Sequence, residues 1–203
     1  MLGLPKATEL RRQLPKTAIY KKFNMNTAAR ERFDADISRI DIVNEISPAN
    51  TTFAAGEAVS SFFVLLVTLK RAEYDEKNIA LLSRLIDQNM LFVLCFEDRA
   101  RLAAYRAELL QGSWAAPDSL RVTLNGLDLD AVWENLLIQV GNVTIEQGRS
   151  LDEQLAENER RAKLQRQIEQ LERKLRAEKQ PKKKFDLHQE ILMLRKEMIR
   201  NGG

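Results

Sequence analysis

One uncharged stretch constrains the fold of this chain more than any other. Residues 59–69, with the sequence VSSFFVLLVTL, carry no charge and are apolar at consecutive rather than alternating positions. A strand that is buried on both faces has this pattern, because neither face meets water. Its β-branched and aromatic residues also favour a strand. We therefore predict that this stretch is the central strand of a sheet and that the flanking chain supplies its neighbours and cover.

Four more strands are predicted from periodicity and turn signals. The segment before the central strand is apolar at Ile40, Ile42 and Ile46, the alternation of a half-buried strand. The later segments combine apolar runs with turn residues such as Asn125-Gly126. The predicted strands cover residues 37–46, 91–96, 102–109 and 119–124.

Helices are predicted between and after these strands. Asn26 and Asp75 are suitable caps for a short helix over 27–32 and a longer one reaching about residue 88. An amphipathic helix from Leu129 is expected to end at Gly141. A short helix is also expected at 8–14, between Pro5 and Pro15. Strands in hairpins with two helices packed on them make an α+β fold with a mixed or antiparallel sheet.

The composition changes at residue 150. Ser150 and Glu153 have the spacing of a capping box, and no Pro or Gly follows until Pro181. Two apolar seams with coiled-coil spacing come next, and a twelve-residue gap puts them out of phase. They consist of Leu164, Ile168, Leu171 and Leu175, then Leu187, Ile191, Leu194 and Met198. We predict two antiparallel helices of about 28 and 17 residues that turn at Gln180–Lys184, with a kinked helix in a larger bundle as the alternative.

The charges divide the chain into three parts. Residues 1–30 have seven Lys and Arg against one acid, residues 31–158 have eleven against twenty-one, and residues 159–203 have fourteen against seven. An acidic centre between two basic ends indicates anionic partners. The predicted organisation is a basic N-terminal arm at 1–30, an α+β domain at 31–149 and a charged helical hairpin at 150–203.

Length and cysteine content fit one domain with an extension. The chain has 203 residues, and a compact part of about 150 needs no disulfide bonds to bury a core. Its one cysteine, Cys95, lies in an apolar run and is expected to be buried. The start lacks the apolar region of a signal peptide, and no segment is long enough for a membrane helix. We expect a soluble cytoplasmic protein with no membrane contact.

Residue counts exclude most familiar catalytic sites. His188 is the one histidine and Cys95 the one cysteine. The chain by itself therefore cannot form a His-based triad, or a zinc site that needs two or more His or Cys ligands in addition to Cys95. The eight glycines form no phosphate-binding loop or nucleophile elbow. We therefore predict no catalytic residues, no metal site and no cofactor. A magnesium-dependent nuclease stays open as an alternative, with Lys70 and with carboxylates from Asp34, Asp36, Asp41 and Glu45, although Thr68 stands where an acid belongs.

The basic ends are candidates for nucleic-acid contact. In the N-terminal part, cations alternate with Tyr20 and Phe23, whose rings could stack on bases. The alternative is that these cations dock their segment onto the acidic centre. The predicted nucleic-acid-binding residues are Lys6, Arg11, Arg12, Lys16, Lys21, Lys22, Lys182, Lys183 and Lys184.

Several short motifs together resemble a known bacterial family. They include Leu4-Pro5-Lys6, Leu14-Pro15-Lys16, the stretch 33–48, Ser60-Ser61-Phe62-Phe63, Gln88-Asn89-Met90-Leu91-Phe92, Gly126-Leu127 and Trp133-Glu134-Asn135. With the closing charged helices, they resemble the domain of unknown function numbered 4391 along nearly the whole chain. That family has no established activity, so the resemblance implies no catalytic residues. Its members tend to be encoded beside helicases and DNA methyltransferases of defence loci, which implies an accessory role.

The leading hypothesis is a non-enzymatic accessory or adaptor subunit of a bacterial DNA-processing or phage-defence assembly. The eight seam residues of the terminal helices are its predicted partner-binding residues. The partner would be a larger helicase, nuclease or methyltransferase, or a second copy of the chain, and the basic ends would approach DNA or RNA. The alternatives are the magnesium-dependent nuclease and a direct nucleic-acid-binding protein.

Overall fold

The computed structural model describes the backbone of residues 2–200 and the side chains of residues 2–198. The chain divides into two compact units, Met1–Thr144 and Ile145–Gly203. The first is an α+β unit and the second consists of two packed helices, so the predicted fold class is confirmed. Residues 2–30 belong to the first unit and do not form a separate arm.

The α+β unit is built on a mixed sheet of six strands within the described residues. They are β1 (Glu9–Gln13), β2 (Ile37–Ile46), β3 (Phe62–Leu69), β4 (Asn89–Phe96), β5 (Arg99–Tyr105) and β6 (Leu109–Gln111). They lie side by side in chain order. Strands β3 and β4 are parallel, and all other neighbours are antiparallel. The uncharged stretch provides β3 in the interior of the sheet, as predicted, and the strand begins at Phe62.

Among the described residues of this unit, four α-helices cover the two faces of the sheet. They are α1 (Lys16–Lys22), α2 (Thr27–Asp36), α3 (Glu76–Leu82) and α4 (Leu129–Gly141). Leu65, Val67 and Leu69 of β3 face the core shared with residues of α1, α2 and α3. Phe62 has the opposite parity on β3, and its ring lies 5.2 Å from that of Trp133 on α4. The central strand is therefore covered on both faces, which explains its uncharged sequence.

The N-terminal segment predicted as a helix at 8–14 is instead strand β1. It pairs with the outer edge of β2, with Glu9 opposite Asn44 and Arg12 opposite Ile42. Two turns of isolated helix are marginal in water, whereas sheet pairing satisfies the backbone and closes the edge of β2. Arg11 and Arg12 are exposed on this edge strand, a common protection against edge-to-edge association.

The strand predicted at 119–124 does not form. The backbone amide and carbonyl of Thr123 are both bonded to the side chain of Gln139 on α4, at 3.0 and 2.8 Å. The amide of Val122 donates to the carbonyl of Leu2 at 3.1 Å. Because side-chain and loop partners satisfy this backbone, the outer strand after β5 is β6 instead. The helix predicted to reach residue 88 ends at Leu82.

Helix ends follow the predicted capping chemistry with one correction. The side chain of Asn26 accepts from Ala29 N, and that of Asp75 accepts from Lys77 N, as expected for N-caps. Helix α4 continues through Gly141, and the left-handed residue that ends it is Asn142, with φ of 47°. Asparagine tolerates this conformation better than other non-glycine residues.

One carboxylate joins the loop before β3 to the start of α4. Asp130 accepts backbone amides of Glu57 at 2.8 Å and Val59 at 2.7 Å. Burial opposes the charge, but these amide bonds prevail and the pKa of Asp130 is lowered. A Cβ at Gly56 would overlap the Asp130 carboxyl group, so only glycine allows the loop to approach so closely.

The second unit is a helical hairpin of α5 (Leu151–Ala177) and α6 (Pro181–Arg200). The 27 residues of α5 span about 40 Å. The capping box of Ser150 and Glu153 forms as predicted. Pro181 opens α6, a position that needs no amide donor, so the turn is shorter than predicted and ends at Gln180. None of the described helices is both long and apolar enough to cross a membrane.

Candidate functional site

The two predicted seams meet inside the hairpin. Leu164, Ile168 and Ile191 are buried, and the other five seam residues are half-buried. Arg195 on α6 reaches Glu172 on α5 at 2.7 Å, and Arg160 on α5 reaches Glu197 on α6 at 3.0 Å. These ion pairs fit an antiparallel register. The seam residues therefore hold α5 and α6 together, which leaves less of their surface available to a partner than the sequence suggested.

Helix α6 has a second apolar surface that the sequence analysis missed. Phe185, Leu192 and Met193 are exposed by 62%, 37% and 69%. Their i, i+7 and i+8 spacing puts them on one side of the helix, away from the seam at Leu187 and Ile191. We call these three residues the outer face of α6. Their departure from the seam spacing was the signal in the sequence that could have identified them.

Helix α5 has no matching apolar surface. Its exposed positions between the seam residues are polar or charged, for example Arg166, Glu169 and Arg173. Single exposed apolar residues are ordinary on soluble proteins, but three on one side of a 20-residue helix are a feature of contact surfaces. The outer face of α6 is thus the candidate protein-docking surface of the hairpin unit.

The turn of the hairpin is strongly basic. Residues 173–184 contain seven Lys and Arg and one acid, Glu178, for a net charge of +6. The carboxylate of Glu178 accepts the backbone amides of Lys179 and Gln180 at 2.7 and 2.8 Å. These bonds, with the nearby charges of Lys183 and Lys184, lower the pKa of Glu178. The cations are exposed, and they include the predicted Lys182, Lys183 and Lys184.

The predicted N-terminal cations occupy different surroundings. Lys6, Lys21 and Lys22 are exposed on the first unit, together with the two arginines of β1. Lys16 instead donates to the carboxylate of Asp34 at 2.6 Å and to the carbonyl of Ile37. This cation therefore ties the start of α1 to the end of α2, and a phosphate would have to compete with Asp34 for it.

The aromatic rings of that segment are also engaged. Tyr20 donates its hydroxyl to Asp34 at 2.5 Å and packs edge-on against the buried ring of Phe33. Phe23 packs against the core of the α+β unit. Both rings are therefore half-buried against the core, and neither is exposed for stacking as the interleaved sequence suggested. The two predicted basic regions therefore differ, since an exposed aromatic residue stands beside the lysines only at the hairpin turn.

Asp34 makes the stability of this N-terminal packing depend on pH. Burial raises its pKa, but hydrogen bonds from Lys16 and Tyr20 and the charges of Lys16 and Lys70 outweigh that effect, so the pKa is lowered. Burial and the bond to Asp34 raise the pKa of Tyr20 to about 12. A carboxyl group whose pKa is lowered by folding stabilises the fold at pH values above its pKa in the unfolded chain, which is near 4. This stabilisation is lost as the pH falls through the pKa of the folded state.

We therefore expect Asp34→Asn to reduce the loss of stability on acidification. Urea unfolding at pH 7 and pH 3 should show a smaller difference for the variant than for the wild type. Because the carboxyl is part-exposed, the change is expected to be about 0.5 kcal/mol or less. Lys16→Gln removes the main partner and should reduce the pH dependence in the same direction. An unchanged difference in both variants would contradict the role given to this pair.

Asp36, two residues further, is the most buried carboxylate described, with 1% of its surface exposed. It forms an ion pair with Arg71 and accepts from the Asn78 side-chain amide at 2.7 Å and from Asp75 N at 2.9 Å. These partners come from the loop after β3, the N-cap residue of α3 and the first turn of α3. Both carboxylate oxygens are used, so Asp36 holds together the crossover that makes β3 and β4 parallel.

Two carboxylates of the nuclease alternative, Asp41 and Glu45, lie away from Lys70 along the sheet, whereas Asp34 and Asp36 are held by the partners described above. Asp41 lies opposite Leu66 and Glu45 opposite Phe63, whereas Lys70 follows the last residue of β3. At about 3.3 Å per residue, Glu45 and Lys70 are separated by roughly 20 Å. Asp41 instead forms a bidentate ion pair with Arg39. Among the described residues, no three His, Cys, Asp or Glu side chains form a group that could hold a metal ion.

Comparison with known proteins identifies the family to which this chain belongs. No curated protein matches the chain significantly. No solved structure matches it significantly. A family model described as a domain of unknown function, DUF4391, matches residues 2–198. That match covers almost the entire chain and agrees with the resemblance seen in the sequence, and the protein therefore belongs to the DUF4391 family.

Proposed function

We propose that this protein is a non-enzymatic accessory subunit of a bacterial nucleic-acid-processing assembly, such as a restriction-like defence complex. Its hairpin unit would dock a larger helicase, nuclease or methyltransferase. The observation that carries this proposal is the outer face of α6. An apolar surface remains on this helix after the seam between α5 and α6 has been packed.

The chemistry of this surface favours a protein as the occupant. Leu192 and Met193 offer apolar contact area, and the flexible thioether of methionine adapts to different partner shapes. Lys196, one turn further, is exposed beside them. A helix or sheet face of a partner that is apolar at its centre and acidic at its rim would complement this arrangement.

A second copy of the chain paired through parallel α6 helices is a poorer occupant. That pairing would bring two lysine-rich turns together, each within a segment of net charge +6. Like charges repel at helix surfaces, so this arrangement is unfavourable. An acidic heterologous partner avoids this cost.

The proposal predicts that polar substitutions on the outer face abolish partner capture. The full-length tagged protein would be expressed in its native cell as wild type and as the double variant Leu192→Gln, Met193→Gln. Nuclease-treated captures would be quantified by mass spectrometry, and binding would be repeated with the purified partner. Central apolar contacts contribute about 1–2 kcal/mol each, so the double variant should bind at least about tenfold more weakly.

The matched control is Arg166→Gln, Glu169→Gln, which alters exposed positions on α5 and should leave capture unchanged. Helicity measured by circular dichroism verifies that both variants keep the hairpin. The proposal fails if a nucleic-acid-processing enzyme is captured equally by all forms. It also fails if the purified chain cleaves DNA with magnesium and loses this activity on Asp41→Ala, Glu45→Ala or Lys70→Ala.

A further inference from the structure

We propose that the hairpin turn binds single-stranded nucleic acid, with Phe185 stacking on an unpaired base and the surrounding lysines contacting phosphates. We call residues 173–185 the basic turn. This site shares Phe185 with the outer face of α6 but does not use Leu192 or Met193, and its binding does not depend on the docking of a protein partner.

The charge of the basic turn is largely uncompensated. Its single acid, Glu178, is bonded to the backbone of the turn itself. Of its cations, Arg176 approaches a carboxylate, that of Glu172, at a loose 3.9 Å, and Glu172 also holds Arg195 at 2.7 Å. A cluster of exposed cations on a short segment attracts a phosphate backbone and releases its counterions.

The aromatic component is Phe185. It follows Lys184 directly and is 62% exposed, an unusual position for a residue of this size and apolarity. Lys182 lies three residues earlier on the same helix, so the two side chains emerge about 5–6 Å apart on one side of α6. A base stacked on the ring would thus have its phosphate within reach of a lysine. Stacking on an aromatic ring accepts any base.

The same features distinguish an unpaired strand from other anionic ligands. In a duplex the base faces are covered by their neighbours, so Phe185 would gain little from stacking. An anionic membrane favours a helix with an unbroken cationic polar face and a broad apolar one. Here Asp186 follows Phe185 directly and Glu190 is exposed one turn further. A strand only a few nucleotides long can contact the turn and avoid both acids.

Fluorescence anisotropy with a labelled 20-nucleotide oligo(dT) tests the site on the full-length protein. Phe185→Ala is expected to weaken binding about tenfold, whereas Phe185→Tyr, which keeps an aromatic ring, should bind as tightly as the wild type. The triple variant Lys182→Gln, Lys183→Gln, Lys184→Gln should reduce the slope of log affinity against log salt concentration by about 2. Each of the three lost phosphate contacts accounts for about 0.7 of that slope. Leu127→Ala, at an exposed apolar residue of the first unit, is the control and should bind as the wild type does.

The arms of this experiment separate the outcomes. A 20-base-pair duplex should bind more weakly than the single strand and should be insensitive to Phe185→Ala. Equal affinity of wild type and Phe185→Ala for the single strand would overturn the proposal. So would Phe185-dependent binding to vesicles of phosphatidylcholine and phosphatidylserine without binding to oligo(dT). Retained oligo(dT) binding by Leu192→Gln, Met193→Gln separates this result from that of the docking proposal.

Discussion

Asp36→Ala is expected to lower the free energy of unfolding of the full-length protein by about 2–4 kcal/mol. The carboxylate is buried and accepts from Asn78 Nδ2 and Asp75 N while pairing with Arg71. Removing it leaves the buried amide of Asn78 without its acceptor, and a buried donor in this state costs its full desolvation energy. Urea unfolding followed by tryptophan fluorescence measures the change, since Trp114 and Trp133 both lie in this unit.

Arg71→Ala provides the matched comparison. The side chain of Arg71 is more than half exposed, so water replaces much of what it loses. We expect this variant to cost about 1 kcal/mol or less. If the two variants cost the same, the ion pair rather than the buried hydrogen bonds would account for the stability. If Asp36→Ala is neutral, the role of Asp36 in the β3–β4 crossover is wrong.

Ile191→Ala is expected to destabilise the hairpin unit by about 2–3 kcal/mol, a typical cost of truncating a buried aliphatic side chain. Ile191 is buried on the inner side of α6, where α5 packs. Because the two units are compact by themselves, the effect should be confined to residues 145–200. Hydrogen exchange would then show loss of protection in α5 and α6 and little change in the sheet.

Met193→Ala is the control for this prediction, because it removes a similar volume from the exposed side of the same helix. It should change protection by less than about 0.5 kcal/mol. Equal effects of both variants would mean that the inner seam does not hold the hairpin together. The pair of variants thus separates the structural surface of α6 from the surface proposed to dock a partner.

Local patterns in the sequence predicted most of the sheet. Phe62–Leu69 is so long and uncharged that a buried strand is the simplest explanation, and the parity of Ile40 and Ile46 predicted its neighbour. Strand β1 was missed because Glu9–Gln13 has no apolar alternation. Only the free edge of β2 makes this polar segment a strand, and an edge is a property of the tertiary fold.

The candidate sites divide in the same way. The spacing of the two seams and Pro181 predicted an antiparallel hairpin, and the structure confirms it. The role of Lys16 could not be predicted, because its partner Asp34 lies 18 residues away in another helix. Phe185 was detectable in principle, since it falls outside the seam spacing. Whether an aromatic ring beside lysines is exposed or packed depends on long-range contacts, as Tyr20 shows.

The order of the strands has a consequence for synthesis on the ribosome. Every strand of the sheet pairs with the strands that precede and follow it in the chain. Each new strand can therefore join the edge left by the previous one as the polypeptide emerges, N-terminal part first. The step from β3 to β4 has to wait until the parallel crossover through α3 is complete, because parallel pairing needs a long connection. We expect this step to limit the rate at which the sheet of the nascent α+β unit forms.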